Sequence, residues 1–312
     1  MTVGDPRGIG PEIVAKALAD SRVRERCDVV VVGPDESGVE VGESVGRWHT
    51  QGGAALAGRL SGLAIERAVQ MAMAGDVDGI VTAPIDKSAL HEGGYDYPGH
   101  TEMLGHLTGA RVAMMLASDK LRVVLATTHI PLRDVSEKLT AESITEAARI
   151  ARDGLRHWFG IAAPRIALCA LNPHGGDRGR FGDEDSRLLA PAARAAGIEG
   201  PFPADTVFVR AMRGEFDAVI APYHDVGMTA IKVASFGSAV NVTLGLPFPR
   251  TSPDHGTALD IAGLNRADPS SMIAATLLCA SIVARAQLGG GRRAHADRLT
   301  ETRSAARPSR TP

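Results

Sequence analysis

Three apolar segments of this sequence each end shortly before a histidine, and this pattern restricts the possible folds more than any other feature. Short apolar runs of this kind predict buried β-strands. In open α/β sheets, ligands bind beyond the carboxyl ends of the strands, because the loops that leave the strands meet there. We therefore expect an α/β fold with three histidines at one sheet edge. The segments are 121–128, 165–171 and 218–221, and they precede His129, His174 and His224.

Three neutral imidazoles at one edge can bind a divalent metal ion and leave coordination positions open for a substrate. Imidazole ligands favour Zn²⁺ over Mg²⁺, and Mg²⁺, Co²⁺ and Mn²⁺ are alternatives. The competing interpretation is three unrelated loop histidines, and the threefold repetition argues against it. Asp225 directly follows His224, so its carboxylate is a further metal ligand, a base, or the group that orients the imidazole.

Composition limits the class of protein. The chain has 312 residues, of which 44% are hydrophobic, and a net charge of -2. This is enough for one large or two moderate domains, and the near-neutral charge argues against nucleic-acid binding. The three cysteines form no CxxC pair, which favours reduced thiols. We identify no signal peptide and no segment that is long and apolar enough to span a membrane, so we expect a cytoplasmic protein.

Alternating strand and helix patterns predict an α/β fold with a largely parallel sheet. Segments 34–53 and 245–257 are predicted to be loops, and residues 289–312 a disordered tail. Strands are predicted at 28–33, 78–82, 112–116, 121–128, 165–171, 218–221 and 239–244. Helices are predicted near 11–20, 54–74, 141–156, 184–196 and 271–286, and a further helix is predicted to start at 98–102.

Several polar residues near the histidines suit an acidic substrate. Lys232, Arg250 and Arg133 supply positive charge, although Lys232 is alternatively a base if its pKa is lowered. His100 and Thr101 open a predicted helix, where free N–H groups bind an anion or Thr101 acts as an ordinary cap. A metal at this edge would serve a dehydrogenase or a hydrolase, and these residues do not separate the two.

Longer motifs carry a resemblance to known enzymes. Segment 254–263 (DHGTALDIAG) resembles the loop that wraps the adenosine of the nicotinamide cofactor in isocitrate and isopropylmalate dehydrogenases, which lack GxGxxG. A series of motifs, in chain order, resembles the 4-hydroxythreonine-4-phosphate dehydrogenase family of the vitamin B6 pathway. These motifs are GDPRGIGPEI, TAPIDKSAL, YPGHTE, TTHIPLRDV, LNPHGG, PADTVF, YHDVG and NVTLGLPFPRTSPDHGTALDIAG.

The resemblance covers most of residues 3–285 and implies a fold like that of isocitrate and isopropylmalate dehydrogenases. It implies two α/β domains, residues 1–97 plus 256–288 and residues 98–255, with the active site in the cleft between them. It also implies a homodimer in which the partner subunit completes the active site. The implied reaction is NAD(P)-dependent oxidation of 4-phosphohydroxy-L-threonine with ensuing decarboxylation. Close relatives in the family oxidise 4-phospho-D-threonate or 4-phospho-D-erythronate.

The resemblance also implies a role for individual residues. His129, His174 and His224 are the expected metal ligands. From their own chemistry beside the histidines, and not from the resemblance, Lys232 and Asp225 are the expected catalytic residues. The expected substrate-binding residues are His100, Thr101, Lys232, Asn241 and Arg250, and the expected cofactor-binding residues are Gly256, Thr257, Ala258 and Asp260.

The sequence departs from the family pattern in four places. Val226 replaces the usual glutamine, and segment 175–180 (GGDRGR) replaces a Gly-Glu-Gly-Gly lid. The first strand is reduced to residues 1–3, and segment 33–58 is short. Val226 and the shortened segments keep a non-catalytic sensor or phosphate-binding protein as an alternative to the dehydrogenase. A metal-dependent hydrolase that uses the same three histidines is a further alternative, although segment 254–263 argues against it.

Overall fold

The computed structural model describes residues 1–235 and 238–288, and within them a mixed α/β fold is built on one large sheet. The strands are β1 (Val32–Asp35), β2 (Glu43–Arg47), β3 (Ile80–Val81), β4 (Ala113–Ala117), β5 (Arg122–Leu125), β6 (Ile166–Cys169), β7 (Glu199–Phe202), β8 (Ala218–Ala221), β9 (Val240–Leu244) and β10 (Arg250–Ser252). The helices are α1 (Gly10–Ala19), α2 (Ser21–Arg24), α3 (Gly53–Ala74), α4 (Lys87–Glu92), α5 (His100–Thr108), α6 (Val135–Lys138), α7 (Ala141–His157), α8 (Ala190–Ala196), α9 (Ala204–Met212), α10 (His224–Ser235) and α11 (Ser270–Leu288).

The large sheet has the strand order β3-β10-β9-β4-β5-β8-β6-β7. Strands β5, β8, β6 and β7 are parallel to one another, and β3 is parallel to β10. Strands β9 and β4 are antiparallel to their neighbours. The carboxyl ends of β5, β6 and β8 therefore lie at the same edge of the sheet, as the sequence predicts.

Strands β6 and β8 are apolar along their whole length, and β5 is apolar after Arg122, because helices cover both of their faces. On one face, Val124 of β5 and Ile220 of β8 belong to the same core as Ile144 of α7. On the other face, Val123 and Val219 belong to a core that includes residues of α9 and α10. The period of two in a strand divides the side chains between these two cores.

Helices α3 and α4 lie unusually close together. A Cβ atom at Gly58 of α3 would lie 1.6 Å from the carbonyl oxygen of Ala89 in α4. A Cβ atom at Gly62, one turn later in α3, would lie 2.0 Å from the ring of Tyr95. Only glycine permits this approach of the two backbones, so α4 is fixed against α3.

Both segments predicted to be loops contain a strand. In segment 34–53, β2 pairs in parallel with β1, and its partly exposed, polar residues conceal the apolar pattern of a strand. In segment 245–257, β10 is fully buried although Arg250, Thr251 and Ser252 are polar. Thr251 donates its hydroxyl hydrogen to the carbonyl of Ala275, and such internal hydrogen bonds allow polar side chains to be buried.

Other predicted boundaries also shift. The strand predicted at 28–33 begins only at Val32, which forms a bridge to Thr2. The reduced first strand thus survives as single bridges from Thr2 to Val32 and to Thr82. Strand β7 and helix α9 were not predicted from the sequence.

Helix α11 corrects the prediction that no segment is long and apolar enough to cross a membrane. Residues Ser270–Gln287 meet both criteria by length and composition. Met272, Ala275 and Ile282 of this helix are fully buried, and the helix packs against β9, β10 and α1. The buried apolar residues of α11 therefore pack against the sheet. The tail predicted to be disordered, 289–312, lies outside the described residues.

Candidate active site

A cavity of about 410 Å³ lies over one face of the sheet. Met114 and Leu116 of β4 and Asn241 of β9 line it, because alternate residues of a strand share a face and Leu116 pairs with Asn241. The other walls come from the segments that follow β3, β5 and β10, from the first turn of α5, and from α10. The cavity thus brings together segments that are far apart in the sequence.

Helix α10 supplies one wall of the cavity. It begins at His224, three residues after β8 ends, so the histidine at this strand exit occupies the first helical turn. His224, Met228 and Lys232 are four residues apart and share one helix face, and all three line the cavity.

His129 and His224 lie side by side in the cavity, with their ring centroids 5.4 Å apart. The Nδ1 atom of His224 is 2.7 Å from Asp225 Oδ1, which leaves Nε2 available to another ligand. Burial, assisted by the charge of Lys87, lowers the pKa of His129, and the neutral imidazole is the form that binds metals. The Asp225 side chain is 83% exposed and does not line this cavity.

His174 lies apart from the other two histidines. It belongs to the turn Pro173–Gly179, in which its own backbone is left-handed, with φ of 54°. Its side chain is 69% exposed, with Nδ1 3.9 Å from Asp205 Oδ2, and it does not line the cavity. Among the described residues, no three His, Cys, Asp or Glu side chains are close enough together to hold a metal ion. The three-histidine site therefore stays a prediction.

Four buried polar atoms at the cavity have no hydrogen-bond partner within the described residues. These atoms are His100 Nε2, Glu102 Oε2, Asn241 Oδ1 and Arg250 Nε. Buried polar atoms are normally hydrogen-bonded, since leaving one unpaired costs about 1–3 kcal/mol. A polar ligand that reaches these atoms would remove that cost, so the cavity is suited to a polar ligand.

Arg250 is the most deeply buried cation of the cavity, at 1% exposure. It donates from Nη1 to Thr243 Oγ1 over 3.0 Å and from Nη2 to Thr82 Oγ1. Burial lowers the pKa of Arg250 to about 9, and the Glu102 carboxylate opposes this shift. Burial, with the charges of Arg250 and Lys87, also holds the pKa of His100 well below its usual range, so this imidazole is neutral.

The other polar residues that were predicted near the substrate differ in whether they line the cavity. Lys232 lines the cavity, donates from Nζ to the carbonyl of Asp254 over 3.3 Å, and lies 3.6 Å from the Asp254 carboxylate. Thr101 also lines the cavity. Arg133 is exposed, lies 3.5 Å from Asp134, and does not line the cavity.

The predicted cofactor loop lies beside the cavity, against the start of α1. Gly256 lines the cavity, and the carbonyl of Thr257 accepts a hydrogen bond from Ile9 N over 2.9 Å. Ala258 has a left-handed backbone, with φ of 42°. The exposed Asp260 carboxylate makes no hydrogen bond to any described residue, so it does not cap the turn.

Comparisons with known proteins identify the family. A family profile described as "Pyridoxal phosphate biosynthetic protein PdxA" matches residues 16–279. A 4-hydroxythreonine-4-phosphate dehydrogenase of Geobacter metallireducens is 43% identical over 93% of this chain and 97% of that protein. The chain belongs to this family. It is a dehydrogenase, which confirms the prediction of an oxidoreductase that acts on a CH–OH group.

Two further relatives support the same assignment. A protein of Cupriavidus necator named D-threonate 4-phosphate dehydrogenase is 42% identical over 91% of this chain and 97% of its own length. The crystal structure of the Klebsiella pneumoniae 4-hydroxythreonine-4-phosphate dehydrogenase superposes with a TM-score of 0.81 at 39% identity, covering 90% and 98% of the two chains. The resemblance drawn from the motifs is therefore confirmed, and so is the mixed α/β architecture.

Membership of this family implies NAD(P) and a divalent metal ion. His129 and His224 fit a metal chemically, because both are imidazoles and the lowered pKa keeps His129 neutral. Within one chain, however, the described residues do not bring a third such donor to these two. The loop at Gly256 is open to a cofactor, since a Cβ atom there would meet no other atom within 4 Å.

Some residues of the site were not predicted. Lys87, Glu102 and Asp254 line the cavity, and all three stand inside motifs that the resemblance uses. Asp185 is 2% exposed, and its two oxygens accept from Leu171 N over 2.8 Å and Asn172 N over 3.0 Å. It therefore holds the start of the segment that carries His174, and no local pattern in the sequence indicates this.

Proposed function

We propose that this chain oxidises the secondary alcohol of 4-phosphohydroxy-L-threonine with NAD(P), followed by decarboxylation, in pyridoxal phosphate biosynthesis. The observation that carries the proposal is the cavity lined by His100, Glu102, Asn241 and Arg250, each of which has a buried polar atom without a partner among the described residues. A phosphorylated hydroxy acid presents phosphate, carboxylate and hydroxyl oxygens to such atoms, and its phosphate dianion needs cations or helix N–H groups. The cavity offers both, because His100 and Thr101 open α5 and Arg250 and Lys232 line the same cavity.

The second candidate substrate is 4-phospho-D-threonate, with 4-phospho-D-erythronate in the same class. The relative named D-threonate 4-phosphate dehydrogenase is 42% identical, against 43% for one named for the threonine substrate. Overall identity therefore does not favour either substrate. Val226 and segment 175–180, where the chain departs from the family pattern, are where we expect substrate selectivity to be determined.

The chemistry moves a hydride from the carbinol carbon to the cofactor and the hydroxyl proton to a base. A divalent metal, when bound, lowers the pKa of the alcohol, and the nicotinamide accepts the hydride. Lys232 lies inside the cavity and either receives the proton or binds the phosphate. Asp225 lies outside the cavity lining, and we assign it to hold the tautomer and orientation of His224.

We propose Zn²⁺ as the metal, with His129, His174 and His224 as its ligands. Because His174 lies apart within one chain, we propose a homodimer in which the partner's His174 completes each site. A cleft between residues 1–97 plus 256–288 and residues 98–255 agrees with the cavity, which Lys87 and Gly256 line from the first set and His129 and Asn241 from the second.

We further propose that Gly256, Thr257, Ala258 and Asp260 hold the adenosine half of the cofactor. This assignment rests on the resemblance of their loop and on its position beside the cavity. We expect a cytoplasmic enzyme without nucleic-acid or membrane partners.

One assay tests the function. The purified chain is incubated with NAD or NADP, Zn²⁺ and each candidate acid, and reduced nicotinamide is followed by its near-ultraviolet absorbance. We expect turnover of at least one phosphorylated acid, its loss on chelation of the metal, and release of carbon dioxide from the acid that is oxidised, because oxidation at C3 gives a β-keto acid. Absence of turnover with every acid, every metal and both cofactors would overturn the proposal.

A further inference from the structure

Lys87 occupies a defined position on a cavity wall that no predicted role explains. It is the first residue of α4, and Asp86 caps this helix by accepting a hydrogen bond from Ala89 N over 2.8 Å. Lys87 lines the cavity, and its Cε lies 3.7 Å from the position that a Cβ atom on Gly99 would take. Its side chain therefore reaches the start of α5, where His100 and Thr101 face the same cavity.

The charge of Lys87 is not neutralised by a close partner. Its ammonium group makes no ion pair or hydrogen bond with any residue that the structure describes, whereas Lys232 of α10 is paired with Asp254. The Glu102 carboxylate also lies at this wall, 3.6 Å from the same position at Gly99, yet its Oε2 is unpaired within the described residues. Lys87 thus keeps its donors available to a ligand.

A network from another motif supports the backbone that presents Lys87. Asp5 is fully buried and binds Arg7, with 2.7 Å between Arg7 Nη2 and Asp5 Oδ2. The same Nη2 lies 3.8 Å from Asp86 Oδ2. The motif GDPRGIGPEI therefore contacts the helix cap in TAPIDKSAL, which gives both motifs a role in the site.

We propose that Lys87 is a further substrate-binding residue, and that it binds the phosphate group together with the first turn of α5. This inference rests on the proposed function, because it takes a phosphorylated acid as the substrate. The Lys87 side chain reaches the N-terminus of α5, where Gly99 provides no side-chain cap, and both elements line the cavity. Arg250 Nε, buried and unpaired, lies in the same cavity and adds a third donor.

The test compares Lys87→Met with Lys87→Arg and with a matched control, Lys120→Met. Lys120 is also exposed, but it lies in the turn between β4 and β5, at the opposite edge of the sheet from His129. We expect Lys87→Met to lower kcat/KM for the phosphorylated acid by about 10- to 100-fold, mainly through KM. The dephosphorylated analogue should lose much less, Lys87→Arg should keep most activity, and Lys120→Met should behave as wild type.

A second measurement separates this inference from the proposed function. Inorganic phosphate should raise the Tm of the wild-type chain and of Lys120→Met, and this rise should be smaller in Lys87→Met. If wild type turns over no acid, the proposed function fails, and the phosphate-dependent Tm still decides the role of Lys87. Unchanged kcat/KM and an unchanged phosphate effect in Lys87→Met, or equal losses for both acids, would overturn the inference.

Discussion

The pKa of His100 depends on the burial and the charges of the cavity. Its imidazole is buried beside Arg250 and Lys87, and both the burial and these charges lower its pKa below the usual 6.5. The folded chain therefore keeps His100 neutral at pH values where an unfolded chain would protonate it. Since the unfolded state then binds more protons, folding stability must fall as pH drops below about 6.5.

We predict that His100→Gln reduces this acid sensitivity. When the pH falls from about 7.5 to about 5.5, the wild-type chain should lose about 1 kcal/mol of its free energy of unfolding because of His100. The His100→Gln variant should not show this contribution. Chemical denaturation of both proteins at the two pH values measures the difference. His129, whose pKa is also lowered, is present in both proteins, so its contribution cancels in the difference between them. Equal losses in the two proteins would show that His100 is protonated in the folded state.

At the scale of elements, Asp185 connects the segment that leads into α8 to the strand exit that carries His174. Both of its oxygens accept backbone hydrogen bonds at the end of β6. Asp185→Asn can accept only one of them, so we predict a loss of about 1–3 kcal/mol in the free energy of unfolding and weaker Zn²⁺ binding. Denaturant titration and calorimetry with Zn²⁺ measure the two effects.

Asp183→Asn is the matched control for this prediction. Its carboxylate is 63% exposed and lies 3.3 Å from Arg187, so the change should stay within about 0.5 kcal/mol. If the two variants are equally stable, the hydrogen bonds of Asp185 do not hold the segment.

The approach of α3 to α4 leads to a second prediction for an element. Glycine to alanine in an open helix usually stabilises it by about 1 kcal/mol. At Gly58 the new Cβ would lie 1.6 Å from the Ala89 carbonyl oxygen, so the two backbones must separate. We predict that Gly58→Ala lowers the free energy of unfolding by about 1–3 kcal/mol or more.

Thermal and denaturant unfolding test this prediction against Gly42→Ala. At Gly42 the new Cβ would only touch Val30 at 3.5 Å, an ordinary contact distance. This control should be neutral or slightly stabilising. A stable Gly58→Ala protein would show that α4 can move away from α3 at little cost.

Comparison of elements shows what the sequence can and cannot predict. The exits of β5, β6 and β8 were predictable because strands covered on both faces are apolar throughout, and parallel neighbours end at one edge. Strand β10 was not, because Arg250 and its neighbours are polar and their burial depends on distant hydroxyl groups such as Thr82. The role of Asp185 depends on contacts with a different element, so no local pattern marks it.

At the scale of the whole molecule, the separation of His174 from His129 and His224 leads to a prediction about assembly. If each site combines His129 and His224 of one subunit with the partner's His174, two inactive variants can complement each other. In a mixed dimer of His129→Ala and His174→Ala chains, one of the two sites keeps all three histidines. We predict that co-refolding these variants restores dehydrogenase activity that neither has alone.

The matched control is a mixture of His129→Ala and His224→Ala chains. Both histidines line the same cavity of one chain, so every site in the mixed dimer lacks one ligand and activity should stay absent. Sedimentation confirms that mixed dimers form. Restored activity in the control, or none in the first mixture, contradicts the shared site.

Helix α10 also fixes the distance between two residues that line the cavity. His224 and Lys232 are eight residues apart on one helix face, which places their Cα atoms about 12 Å apart along a rigid axis. If Lys232 binds the phosphate together with Lys87, a substrate held at one end by the histidines and at the other by Lys232 must span a fixed length. Selection should then depend on the number of carbons between the hydroxyl and the phosphate. Acids that are one carbon longer or shorter should be excluded even when both end groups are correct.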